Sequence, residues 1–160
     1  MPQGTWTSGA NVTGTALGFS GRASCQCQER PALASDWEGR ATTDPERIRR
    51  CWNHAAYNIG IACGRSSLVV VDLDTPNPGD APPQEWVLPG ITNGADLLAE
   101  LAARAGQPLP VDTYTVQTGR GGLHLYFTTP SSGETMGNSA GRLGWHVDTR
   151  GGGYVVAAGS

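Results

Sequence analysis

Ser67-Leu68-Val69-Val70-Val71-Asp72-Leu73-Asp74 is a run of four consecutive apolar residues that ends in two carboxylates one residue apart. Its β-branched content, with Gly64-Arg65-Ser66 before it and Thr75-Pro76 after it, predicts a strand buried on both faces. Side chains alternate along a strand, so Asp72 and Asp74 share one face while Val71 and Leu73 take the other. Two negative charges side by side next to a hydrophobic run cost free energy unless something positive lies between them, and a divalent cation is the usual solution. The pair therefore reads either as a metal site or as two solvated acids capping a strand end.

Working outward, Asn58-Ile59-Gly60-Ile61-Ala62 is a short strand, and the turn Gly64-Arg65-Ser66-Ser67 predicts a hairpin between it and the central strand. Downstream, residues 75–90 carry five prolines and accept no regular element. Asn93 caps a helix predicted over 95–105, with Leu97, Leu98 and Leu101 as its buried stripe and Gly106 as its stop. Strands over 113–118 and 123–128 flank Gly119-Arg120-Gly121-Gly122, a turn whose backbone amides can converge on an anion. On the second of these, His124 and Tyr126 oppose Leu123, Leu125 and Phe127. Residues 145–149 and 154–158 form a last predicted pair around Arg150-Gly151-Gly152-Gly153, with Asp148 and Arg150 on one face. Upstream, Thr43-Asp44-Pro45-Glu46 has the capping-box order with proline in the first turn and launches a helix through Ile48, Cys51 and Trp52. Residues 1–28, rich in Gly, Ser and Thr, read as a poorly defined leader, and residues 29–160 as the domain proper.

Composition narrows the chemistry. At 160 residues the chain is one domain, long enough to bury a core without disulfides. All eleven basic residues are arginine. Without lysine there is no Walker phosphate loop, pyridoxal Schiff base, kinase-type strand lysine or serine-lysine catalysis. A net charge of -3 gives no overall basic footprint, so any nucleic-acid contact is local and arginine-based. No apolar run approaches a transmembrane span and no signal-peptide order opens the chain, which points to a cytoplasmic protein without membrane contact. In that compartment Cys25, Cys27, Cys51 and Cys63 are expected to be reduced. Cys25, Cys27, Cys51 and His54 could supply four zinc ligands, although their spacing matches no common zinc module; buried or incidental thiols are the other reading.

Three strands thus bring polar groups to one face near glycine-rich ends: Asp72 and Asp74, His124, and Asp148 with Arg150. Three carboxylates with a histidine and arginines suit two-metal phosphoryl or nucleotidyl transfer, with Mg²⁺ or Mn²⁺ held by Asp and a triphosphate held by cationic groups and amides. His124, supported by Arg120 and the amides of Gly121 and Gly122, is the expected phosphate contact, a hydrogen bond inside the sheet being the other reading. A calcium hand does not fit, because Pro76 stands at the third ligand position.

These residues resemble a known family, the N-terminal primase-polymerase domain of bifunctional DNA primase/polymerases within the archaeo-eukaryotic primase superfamily. From about Arg30 to Ser160, Trp37, Ala41-Thr42-Thr43-Asp44-Pro45 and Tyr57-Asn58-Ile59-Gly60-Ile61-Ala62-Cys63-Gly64 resemble its opening segment and first hairpin. Val71-Asp72-Leu73-Asp74 resembles the Asp-x-Asp metal motif. Thr118-Gly119-Arg120-Gly121-Gly122-Leu123-His124-Leu125-Tyr126-Phe127 resembles the second motif, whose histidine contacts the nucleotide's phosphates. Val147-Asp148-Thr149-Arg150-Gly151-Gly152-Gly153-Tyr154-Val155-Val156 resembles the third, which supplies the remaining carboxylate.

The resemblance implies an α/β (α+β) core with a mainly antiparallel sheet like that of the RNA-recognition module, flanked by helices and shortened at both ends. It implies Asp72, Asp74 and Asp148 as catalytic metal ligands, and His124, Arg120, Gly121, Gly122 and Arg150 as nucleotide-binding residues. The implied activity is DNA primase and polymerase on single-stranded DNA with nucleoside triphosphates, in replication of a plasmid, phage or integrated element, alongside a replicative helicase. A truncated non-catalytic nucleotide- or DNA-binding remnant and a metal-dependent nuclease are the alternatives.

Overall fold

A computed structural model describes residues 19–20, 41–54, 58–129 and 136–160. In chain order its elements are β1 (Phe19–Ser20), β2 (Ala41–Thr42), α1 (Pro45–His54), β3 (Gly60–Ala62), β4 (Leu68–Leu73), α2 (Gly94–Arg104), β5 (Tyr114–Gln117), β6 (Leu123–Thr128), β7 (Ser139–Gly144), β8 (Val147–Arg150) and β9 (Tyr154–Val156). Helices and antiparallel sheets make this an α+β fold. Among the described residues no helix is long and apolar enough to cross a membrane.

The chain divides into two units, one of Ser67–Gly152 and one of Met1–Ser66 with Gly153–Ser160. In the second, the strand order is β2-β1-β3-β9. Among its described residues, Ile61, Ala62, Cys63 and Val155 are the buried apolar ones. Asp44 rather than Thr43 caps α1: with Pro45 at the first helical position, the Asp44 Oδ1 accepts the Glu46 N–H at 2.9 Å.

Two pairings expected from adjacency do not form. Instead of joining β4, β3 pairs with β9, Ile61 facing Val155. A 3₁₀ turn over Gly64–Ser66 and a left-handed Ser67 at φ 51° intervene, so the chain does not fold back as a hairpin. Likewise β8 pairs with β4 and β7, not with β9. Cys51 is disulfide-bonded where a reduced thiol was expected, and a sulfur so engaged is not a zinc ligand. Cys25, Cys27 and the His54 side chain lie outside the described residues, as does Trp37.

The site lies in the first unit, whose sheet has the order β5-β6-β4-β8-β7. Leu68–Leu73 sits at its centre because its Val-rich run fits a strand covered on both sides. Residues opposite in register share a face. On one face Leu73, Leu125 and Val147 pack with Leu97 of α2, and Val71, Leu98, Leu101, Leu123 and Phe127 surround them. The helix starts where Asn93 accepts the N–H groups of Ala95 and Asp96 at 2.8 and 3.0 Å, one residue from its expected position. Covering one face with α2 leaves the other to the polar residues.

Candidate active site

On the face away from α2, the ladder puts His124, Asp72 and Asp148 in one row across β6, β4 and β8, and Tyr126, Val70 and Arg150 in the next. Placing an acid between an imidazole and a second acid is a consequence of register alone. Asp72 and His124 are both buried. The His124 Nε2 lies 3.3 Å from Asp72 Oδ1, close enough for an ion pair. The geometry is not that of a hydrogen bond, and Oδ1 accepts none. Arg150 spans the two acids, its guanidinium 3.5 Å from Asp72 Oδ2 and 3.1 Å from Asp148 Oδ2. The other Asp148 oxygen accepts the Gly141 N–H at 2.7 Å, so the edge strand β7 orients this carboxylate. Burial pushes the Asp72 carboxyl up, but His124 and Arg150 together outweigh it and hold its pKa below the usual 3.8.

Asp74 is held differently. It stands one residue past the end of β4, where the ladder has stopped. Its N–H donates to the His146 carbonyl at 3.0 Å and its own carbonyl accepts the Gly94 N–H at 3.0 Å. Only glycine fits at 94, because a Cβ there would lie 2.1 Å from the His146 oxygen. Although Asp74 is exposed overall, partial burial of its carboxyl raises the pKa above 3.8. The charges of Asp72 and Asp148 add to that, against a weaker pull from His146 and Arg120. Negative charge is therefore left partly uncompensated at this end of the row.

The β5–β6 turn is folded onto itself. The Gly121 N–H donates to the Thr118 carbonyl at 2.9 Å and the Thr118 N–H to the Gly122 carbonyl at 2.8 Å. Gly122 lies against the end of β4, where a Cβ would come within 2.5 Å of the Leu73 carbonyl. The Arg120 guanidinium bonds Asn77 Oδ1, and its carbonyl accepts the Thr75 hydroxyl at 2.8 Å. The structure thus brings Asp72, His124, Asp148 and Arg150 into direct contact and sets Asp74 and Arg120 beside them. The amide of Gly121 is already committed within its turn.

Oxygen donors and a buried Asp72 Oδ1 without a hydrogen bond suit a hard cation such as Mg²⁺ or Mn²⁺. Among the described residues, no group of three or more His, Cys, Asp or Glu side chains is arranged to hold one ion, because Asp72 and Asp148 turn toward His124 and Arg150. Sequence reasoning missed Asn77, Asp80 and His146. A histidine in the tight step Gly144-Trp145-His146-Val147 was the available signal.

Fold and site together define an antiparallel α+β domain with an acidic row lined by histidine and arginine. The family model for the N-terminal domain of bifunctional DNA primase/polymerases matches residues 13–160, and the chain belongs to that family. No curated protein and no solved structure matches it.

Proposed function

We propose that the chain is a metal-dependent nucleotidyltransferase, a DNA primase/polymerase that starts or extends a primer on single-stranded DNA. The observation that carries this reading is the single row His124, Asp72, Asp148, closed by Arg150. Once Asp72 and Asp148 turn away from their Arg150 contacts, they and Asp74 would hold Mg²⁺ or Mn²⁺, which when bound neutralises phosphate charge and lowers the pKa of an attacking hydroxyl. The primer 3′ hydroxyl gives its proton to solvent water as its oxygen forms the new bond to the α-phosphorus, while the α–β phosphoanhydride bond breaks and pyrophosphate leaves. His124 donates Nε2–H to a phosphate oxygen of the incoming nucleotide, and Arg150 shifts its guanidinium from the two acids toward the developing negative charge. Arg120, beside Asp74, adds positive charge at the same end. Cytoplasmic location, and a helicase partner in replication of a plasmid, phage or integrated element, belong to this proposal through the family.

One observation favours the non-catalytic alternative: Arg150 already neutralises Asp72 and Asp148, as it would in a site that binds nucleotide or DNA without turning it over. Incubating the chain with primed single-stranded template, nucleotides and Mn²⁺ separates the readings. Longer product supports the polymerase, unchanged primer the binding module, and shorter product a nuclease.

A further inference from the structure

His146 occupies the turn between β7 and β8 with φ 59°, a left-handed conformation that a non-glycine residue adopts only when its surroundings over-determine it. Three contacts do so. Its Nε2 lies 3.0 Å from Asp80 Oδ2, in the proline-rich loop. Its ring meets Trp145 edge-on at 4.4 Å between centroids. Its carbonyl accepts the Asp74 N–H and is pressed against Gly94. The residue that holds Asp74 is therefore itself held from the loop that follows Asp74.

That loop is tied at its other end to the opposite side of the row, through the Thr75 hydroxyl on the Arg120 carbonyl and Asn77 on the Arg120 guanidinium. Residues 75–80 thus bridge the β5–β6 and β7–β8 turns, with Asp74 between them. Nothing in the ladder replaces these ties, since β4 ends at Leu73.

We propose that Asp80 and His146 are positioning residues: the Asp80 carboxylate fixes the His146 ring, and the His146 carbonyl in turn fixes the backbone of Asp74 so that its carboxylate faces the Asp72–Asp148 row. The role given to that carboxylate rests on the function proposed above. The latch itself is a statement about Asp74's backbone and can be tested without it.

The variants are Asp80→Ala, which removes the grip on the ring, and His146→Gly, which removes the ring while favouring the left-handed turn, so that the backbone is not strained by the change. Amide hydrogen exchange reads the latch directly. Protection of the Asp74 N–H should fall at least about tenfold in both variants while Val70 and Val71 in the middle of β4 stay protected. In the same variants Mn²⁺ affinity should weaken by about tenfold, the usual size for losing a group that orients a ligand. Parent-like Asp74 protection in both variants overturns the latch, as does a uniform loss across β4 with a lowered Tm, which marks a merely structural pair. If the parent binds no Mn²⁺ and extends no primer, the functional reading fails while the exchange result still decides the latch.

Discussion

Asp72 and Asp74 are two residues apart and are held by different means. Asp72 is built into the middle of a ladder, opposite His124 on one side and Asp148 on the other, with the His124 ring near one oxygen, the Arg150 guanidinium near the other, and a lowered pKa. Asp74 lies beyond the ladder, fixed by one hydrogen bond to a turn and one to the start of α2, with a raised pKa. The difference teaches that ladder register can satisfy a charge in advance, whereas a charge placed by loops stays available for a ligand. On the proposed metal-dependent function, Asp72 would be the rigid anchor and Asp74 the group still short of positive partners.

Removing the shared support should blur the comparison most. Leu97 is fully buried under β4, β6 and β8, and Leu97→Ala should cost about 2–5 kcal/mol, read as a drop in Tm and denaturation midpoint. His124→Ala attacks only the ladder side. It should weaken nucleotide binding by roughly 1–3 kcal/mol with little change in Tm, as measured by titration calorimetry on the folded protein. A large stability loss with intact nucleotide affinity would instead make His124 a structural partner of Asp72.

The two acids themselves should then separate. Asp72→Asn loses its charge-assisted contacts, about 1–2 kcal/mol once solvent screening of the partly exposed Arg150 is allowed for. Asp74→Asn should leave Tm unchanged or slightly raised at neutral pH, because it removes a carboxylate disfavoured by Asp72 and Asp148. Both changes should abolish primer extension.

Lowering the pH sharpens the contrast. The stability contributed by Asp72, whose native pKa lies below 3.8, is present above that value and is lost only as pH falls through the depressed native pKa. For Asp74, raised above 3.8, the cost of ionisation is fully present above its native pKa and fades as pH falls toward 3.8. Urea unfolding in acid should therefore show the advantage of Asp74→Asn disappearing first, while the deficit of Asp72→Asn persists to lower pH.

Much of the site was legible because it rests on local patterns. Leu68–Leu73, the β5–β6 hairpin and the Asn93-capped helix each carry their own period or cap; alternation gave Asp72, His124 and Asp148 each a face within its strand, and register then set the three in one row. What was not legible depends on long-range pairing. Gly60–Ala62 pairs with Tyr154–Val156 across most of the chain, and no local signal chose that partner over the adjacent Leu68 strand. Ser139–Gly144 has no apolar alternation; it is an edge strand with an irregular register, recognisable only by what it pairs with. The latch escaped for a similar reason, since Asp80 and His146 are joined by a loop path that composition does not reveal.

The measurement that bears most directly on the acidic row as one metal-dependent site is Mn²⁺ titration calorimetry on the parent and on the double variant Asp72→Asn with Asp74→Asn. Binding by the parent that is lost in the double variant, with both proteins folded, is the predicted result. Equal Mn²⁺ binding by the two would contradict it.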